Sequence, residues 1–206
     1  MKKGIPTIII AASAILIGIY PVIYFIVDRK FGLLSSKSDG LLSDVFWNVS
    51  FYIHIVFGGL SLMIGWTQFV SKWRTAKLNW HRRIGKLYVI MVLLSALAGI
   101  HIAFHATGGF IASLGFICLG IIWFYTTLKA FLLIKAGKVD HHQRMMIYSY
   151  AACFAAVTLR IWLPLLTLAF QDFVKAYLIV AWMCWVPNMI VAYFIVRRLG
   201  KVNIAV

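Results

Sequence analysis

Six apolar runs, each of twenty residues or more, decide the environment in which this chain folds. They cover residues 5–27, 46–71, 84–106, 110–134, 145–169 and 174–196. Each is long enough to cross a hydrocarbon core of about 30 Å as a helix rising about 1.5 Å per residue. A soluble domain of 206 residues could not cover a composition that is 63% hydrophobic and only 12% charged. The runs lack the period-two alternation of a membrane barrel, whereas helices satisfy every backbone polar group within one segment. The expected fold is therefore all-α: one integral membrane domain spanning residues 1–206, with six transmembrane helices. The first run follows Lys2-Lys3. It is too long for a signal h-region and ends without a small-residue cleavage site, so it reads as a retained helix.

Charge orients the bundle. The net charge is +15, there is no glutamate, and the five acids are Asp28, Asp39, Asp44, Asp140 and Asp172. Segments 1–4, 72–86, 129–144 and 197–206 carry +2, +6, +3 and +3, whereas 28–44, 107–109 and 171–175 are neutral. Basic and neutral connections alternate, so both termini are expected in the cytoplasm. Anionic lipid accounts for the imbalance better than nucleic acid does, and no nucleic-acid partner is expected. Trp47, Tyr52, Trp73, Trp80, Tyr88, Trp162 and Tyr177 lie near run ends and read as interfacial aromatics. The loop 28–44 reads as a mobile or half-buried connection. Pro164 and Pro187 are expected to kink the fifth and sixth spans. A shift of 61 residues lays His81 on His142, Arg83 on Arg144, the second span on the fourth and the third on the fifth. Such a shift describes two hairpins of like orientation.

Polar residues inside spans are costly and point to function. His54 lies about eight residues below the outer start of the second span. His101 and His105 lie at the outer end of the third, one turn apart on one face. Arg160 lies about ten residues below the outer end of the fifth. Imidazole is the common axial ligand of a b-type haem held between helices, and guanidinium matches a propionate. His54 and His101 are therefore candidate haem-iron ligands, with His105 as the alternative and Arg160 as the propionate partner. A quinone or redox partner would follow from that assignment. The alternative is a non-enzymatic protein that binds lipid or a hydrophobic ligand, or that assists assembly, with structural histidines. A second, inner cluster of His81, His142, Arg83 and Arg144, beside His141, lies at headgroup level, where it could meet anionic lipid, a second haem, or an anionic substrate headgroup or phosphate.

Several chemistries lack their residues. No acid falls within a span, so a carboxylate relay is missing. No HExxH, GxSxG or P-loop occurs, and no catalytic residue is assigned. Cys118, Cys153 and Cys184 lie far apart inside apolar runs and read as small hydrophobes.

Five stretches carry a resemblance. They are His81-Arg82-Arg83-Ile84-Gly85-Lys86-Leu87-Tyr88, Ala106-Thr107-Gly108-Gly109, residues 142–151, Thr158-Leu159-Arg160 and Trp185-Val186-Pro187-Asn188. Together they resemble a bacterial family of multi-pass membrane proteins known as a domain of unknown function. The likeness runs from Phe46 to Asn188 and departs from the family's usual residues at Met145 and Tyr148. It implies an integral protein of the bacterial cell membrane and implies no activity.

Overall fold

The computed structural model describes residues 5–28 and 30–202. Lys2, Lys3 and Arg29, which entered the charge pattern, lie outside the described residues, as do residues 203–206. The described residues form helices and turns, with no strand among them. Six helical stretches are long and apolar enough to cross a membrane.

The first span is α1 (Ile5–Ile19), continued by a 3₁₀ stretch, Tyr20–Phe25. The second is α2 (Val45–Gly65), continued by Trp66–Phe69, and the third is α3 (Leu78–Ala103). The fourth is α4 (Phe110–Lys135). The fifth is divided into α5 (Val139–Cys153) and α6 (Ala155–Phe170), the sixth into α7 (Phe173–Met183) and α8 (Val186–Val202).

Contacts between neighbours run antiparallel. Ser50 meets His101 while Gly65 meets Tyr88, and Thr127 meets Ser149 while Ala130 meets His142. The basic turns after α2 and α4 therefore share one end of the bundle. The acids serve local backbone needs. Asp44 and Asp172 accept the Trp47 and Lys175 N–H groups as N-caps, Asp28 accepts from the Lys30 N–H, and Asp39 and Asp140 sit in first helical turns. A carboxylate is favoured at a helix start by the free N–H groups there.

Several sequence expectations are refined. α3 and α5 begin six residues earlier than the expected spans, because a polar helical turn is stable once it projects from the apolar layer. His81, Arg82, Arg83, His142 and Arg144 are therefore helical rather than loop residues. Helix α6 runs through Pro164, and the fifth span is interrupted instead at Phe154. The sixth breaks at Cys184–Trp185, which places Pro187 in the first turn of α8, where its missing N–H costs nothing. Trp47, Tyr88 and Tyr177 are buried in the bundle rather than interfacial, whereas Trp73 and Trp80 are exposed.

The loop 28–44 is folded. A 3₁₀ turn (Gly32–Ser36) and a short helix (Asp39–Ser43) form a strap, burying Leu34 and Leu42 against Tyr24, Trp47 and Phe51. Close helix contact rests on absent side chains. A Cβ on Gly59 would stand 2.6 Å from the Gly18 carbonyl oxygen, and one on Gly115 would stand 2.8 Å from that of Ala181. Lipid supplies no hydrophobic drive between helices, so such small-residue contacts carry the packing.

Candidate functional site

A cavity of about 230 Å³ opens inside the end of the bundle opposite the basic turns. Its walls come from α1 to α7, α5 giving Ala152 and Cys153 and α7 giving Tyr177, and the strap reaches it with Leu33, Leu34 and Lys37. Most of the lining is apolar, including Ile17, Ile55, Ile102, Phe116 and Leu159. Into this lining project His54, Arg160 and Lys37, and no acid lines the cavity.

His54 is held by α3. Its Nδ1 lies 2.9 Å from the Ser95 carbonyl oxygen, and the Ser95 hydroxyl donates back to the His54 carbonyl at 2.9 Å. The first contact requires the proton on Nδ1 and leaves Nε2 as the acceptor nitrogen. Gly99, one turn along α3, makes the room: a Cβ there would lie 2.7 Å from Nδ1.

Arg160 is placed by α6. Its Nη1 donates to the Ala156 carbonyl at 3.0 Å, and its guanidinium carbon lies 4.4 Å from the centre of the Tyr20 ring. Its Nε is buried with no hydrogen-bond partner among the described residues. The ion pairs among those residues are Lys30–Asp39 and Lys175–Asp172, and neither involves Arg160.

Lys37 of the strap donates to the His105 carbonyl and, at 3.1 Å, to Thr107 Oγ1. Ser36 also shares a 2.8 Å hydrogen bond with Thr107. These bonds fasten the strap to the turn between α3 and α4. Burial pulls the Lys37 ammonium below its ordinary pKa, because the charged form loses water.

The expected outer layer thus separates into two parts. His54 and Arg160 share the cavity. His101 and His105 are exposed, 6.3 Å apart between ring centres, and neither lines it. His101 Nδ1 instead meets Ser50 Oγ at 2.8 Å. At the basic end, His142 Nδ1 is bound to the Ala130 carbonyl at 2.8 Å, Arg144 is half-buried, and Arg83 and His141 are exposed. Among the described residues no group of three or more His, Cys, Asp or Glu side chains gathers as a metal site. Lys37, Tyr20, Ser95 and Gly99 were not among the expected site residues. The four-residue spacing of Ser95 and Gly99 was a usable signal for a cleared helix face. Lys37 had none, because the strap shows no periodicity.

Beneath the cavity lies a buried hydroxyl cluster. Tyr88 and Ser149 share a 2.9 Å hydrogen bond, and Ser149 and Thr127 share one of 2.6 Å. Tyr88 and Ser149 stand 61 residues apart.

No curated protein and no solved structure matches the chain. A family description does match, over residues 51–196, from Phe51 in α2 into α8. That interval includes His54, Arg160, both basic turns and every helix from α3 to α7, so the chain belongs to the family described as Predicted membrane protein (DUF2306), a membrane domain of unknown function.

Proposed function

We propose that this protein binds a small amphipathic carboxylate drawn from the bilayer, with the head group on Arg160 and the apolar part along the cavity. The observation that carries this reading is the unpartnered Nε of Arg160 in an acid-free apolar lining. A buried guanidinium without an anion is strongly penalised. A ligand carboxylate would relieve that penalty through a planar fork of two parallel hydrogen bonds. Lys37 borders the same space and offers a further donor. The volume is below the roughly 300–1,000 Å³ of typical drug-sized sites, which favours a short or partly inserted chain. In this reading the basic end faces the cytoplasm and the cavity lies in the outer leaflet.

A b-type haem is the second reading, favoured by one observation. The Nδ1–Ser95 bond leaves the other nitrogen of His54 free, as in imidazoles that serve as metal ligands. Bound haem would supply electron transfer. His54 would be its ligand and Arg160 its propionate partner, with no second histidine in the lining. A quinone carbonyl would take its hydrogen bond from Arg160, since the His54 proton is held by Ser95.

One preparation separates these readings. The full chain, purified from haem-replete cells into lipid nanodiscs, is examined by visible absorption and then with a spin-labelled fatty acid. The proposal expects no Soret band and an immobilised spin-label signal that is lost in Arg160→Gln. A Soret band that disappears in His54→Ala moves the assignment to haem. Equal immobilisation in wild type and Arg160→Gln overturns the carboxylate site.

A further inference from the structure

A second depression, of about 410 Å³, lies at the basic end, where α2 gives way to α3 through the short helix Ser71–Ala76. Its lining includes Gln68, Trp73, Arg74, Lys77, Trp80 and His81. Two permanent cations and an imidazole therefore face one space, with no acid in the lining. Among the described residues, no carboxylate pairs with Arg74, Lys77 or His81. Like charges held this close repel one another, and a third party of opposite charge relieves that repulsion. The half-buried Arg74 offers a planar fork, whereas the exposed Lys77 acts as a mobile point charge, a combination suited to the several oxygens of a phosphate. Trp73 and Trp80, both more than half exposed, flank the space at the end of the apolar layer, where indoles meet lipid head groups.

We infer that this depression is a binding site for a phosphate group, independent of the cavity at the opposite end. The phosphate belongs either to an anionic phospholipid or to a free ion, which share the same recognition chemistry.

The test uses the full chain in detergent and native mass spectrometry. The probes are phosphatidylglycerol, phosphatidylcholine and inorganic phosphate. Wild type is expected to retain phosphatidylglycerol in preference to phosphatidylcholine, or to retain phosphate itself. The Arg74→Gln/Lys77→Gln pair should lower that occupancy by about tenfold or more, equivalent to about 1.4 kcal/mol. Arg197→Gln/Arg198→Gln removes two exposed cations elsewhere on α8 and should leave it unchanged. Competition by millimolar phosphate identifies the free ion as occupant, and persistence of the lipid adduct identifies the head group. Wild-type occupancy in Arg74→Gln/Lys77→Gln overturns the site, as does equal retention of the two lipids together with no retained phosphate. If that pair does not elute as wild type does, His81→Gln provides the same reading, with Arg74→Lys/Lys77→Arg as the charge-preserving control.

Discussion

The His54 imidazole occupies the space that a side chain on Gly99 would fill, with Nδ1 2.7 Å from the position of the missing Cβ. A methyl group there must displace either the ring or the α2–α3 contact. Gly99→Ala is therefore expected to lose about 1–3 kcal/mol of stability, the usual effect of overfilling a packed site. Reversible unfolding in mixed micelles measures it. A variant as stable as wild type would mean that the ring is not held by the helix behind it.

Removing the cavity's cation should have the opposite sign. Arg160→Met replaces a guanidinium lacking a carboxylate partner with an apolar side chain of similar length. The ligand-free protein is expected to gain about 1–4 kcal/mol, as when buried charges give way to packed hydrophobes. The same substitution should abolish carboxylate binding. Destabilisation of the ligand-free protein would mean that the Tyr20 face and the Ala156 carbonyl already stabilise the guanidinium.

Lys37 gives a pH dependence of definite sign. Its folded pKa lies below the model-peptide value of 10.5. Between the two values the unfolded chain binds the proton that the folded chain has released, so stability rises with pH across that window. Below the folded value both states are charged, and the cost of burying the ammonium is present in full. Unfolding measured from neutral to alkaline pH should show this rise in wild type and lose it in Lys37→Met.

Leu34 and Leu42 are 3% and 5% exposed, and with Tyr24, Trp47 and Phe51 they pin the strap. Leu34→Ala should cost about 2–5 kcal/mol. Hydrogen exchange should show the loss first at residues 32–43 and leave the hydroxyl cluster around Ser149 protected. Uniform loss across all helices would mean that the strap is part of the global folding unit.

The threading is open to a direct check. A reporter fused after Val206 and active only in the cytoplasm should be active. Activity of an exported reporter at the same point would reverse the orientation.

The helices were legible in the sequence because length and hydropathy alone determine what lipid admits. The break at Phe154 was not, because it arises where two spans meet: Thr158, one turn on, bonds the Cys184 carbonyl of the sixth span. The candidate site was legible in depth but not in direction. Periodicity placed His54, His101 and Arg160 in one layer, and helix rotation turned His101 towards Ser50 and away from the cavity. Gly99, one turn from Ser95, marked a cleared helix face in the sequence, but not that the His54 ring fills it. The fold of the strap was not legible because its two five-residue elements are too short to repeat a hydrophobic period.

The strap also determines which phase supplies the cavity. Leu33, Leu34 and Lys37 roof it on the aqueous side, and hydrogen bonds to Thr107 close the roof onto the neighbouring turn. On the carboxylate reading, a guest would then enter between helices, from lipid. Such a route would make the rate of loading, rather than the final occupancy, follow the guest's mole fraction in the bilayer. A compound that partitions strongly would then load quickly even where its aqueous level is low.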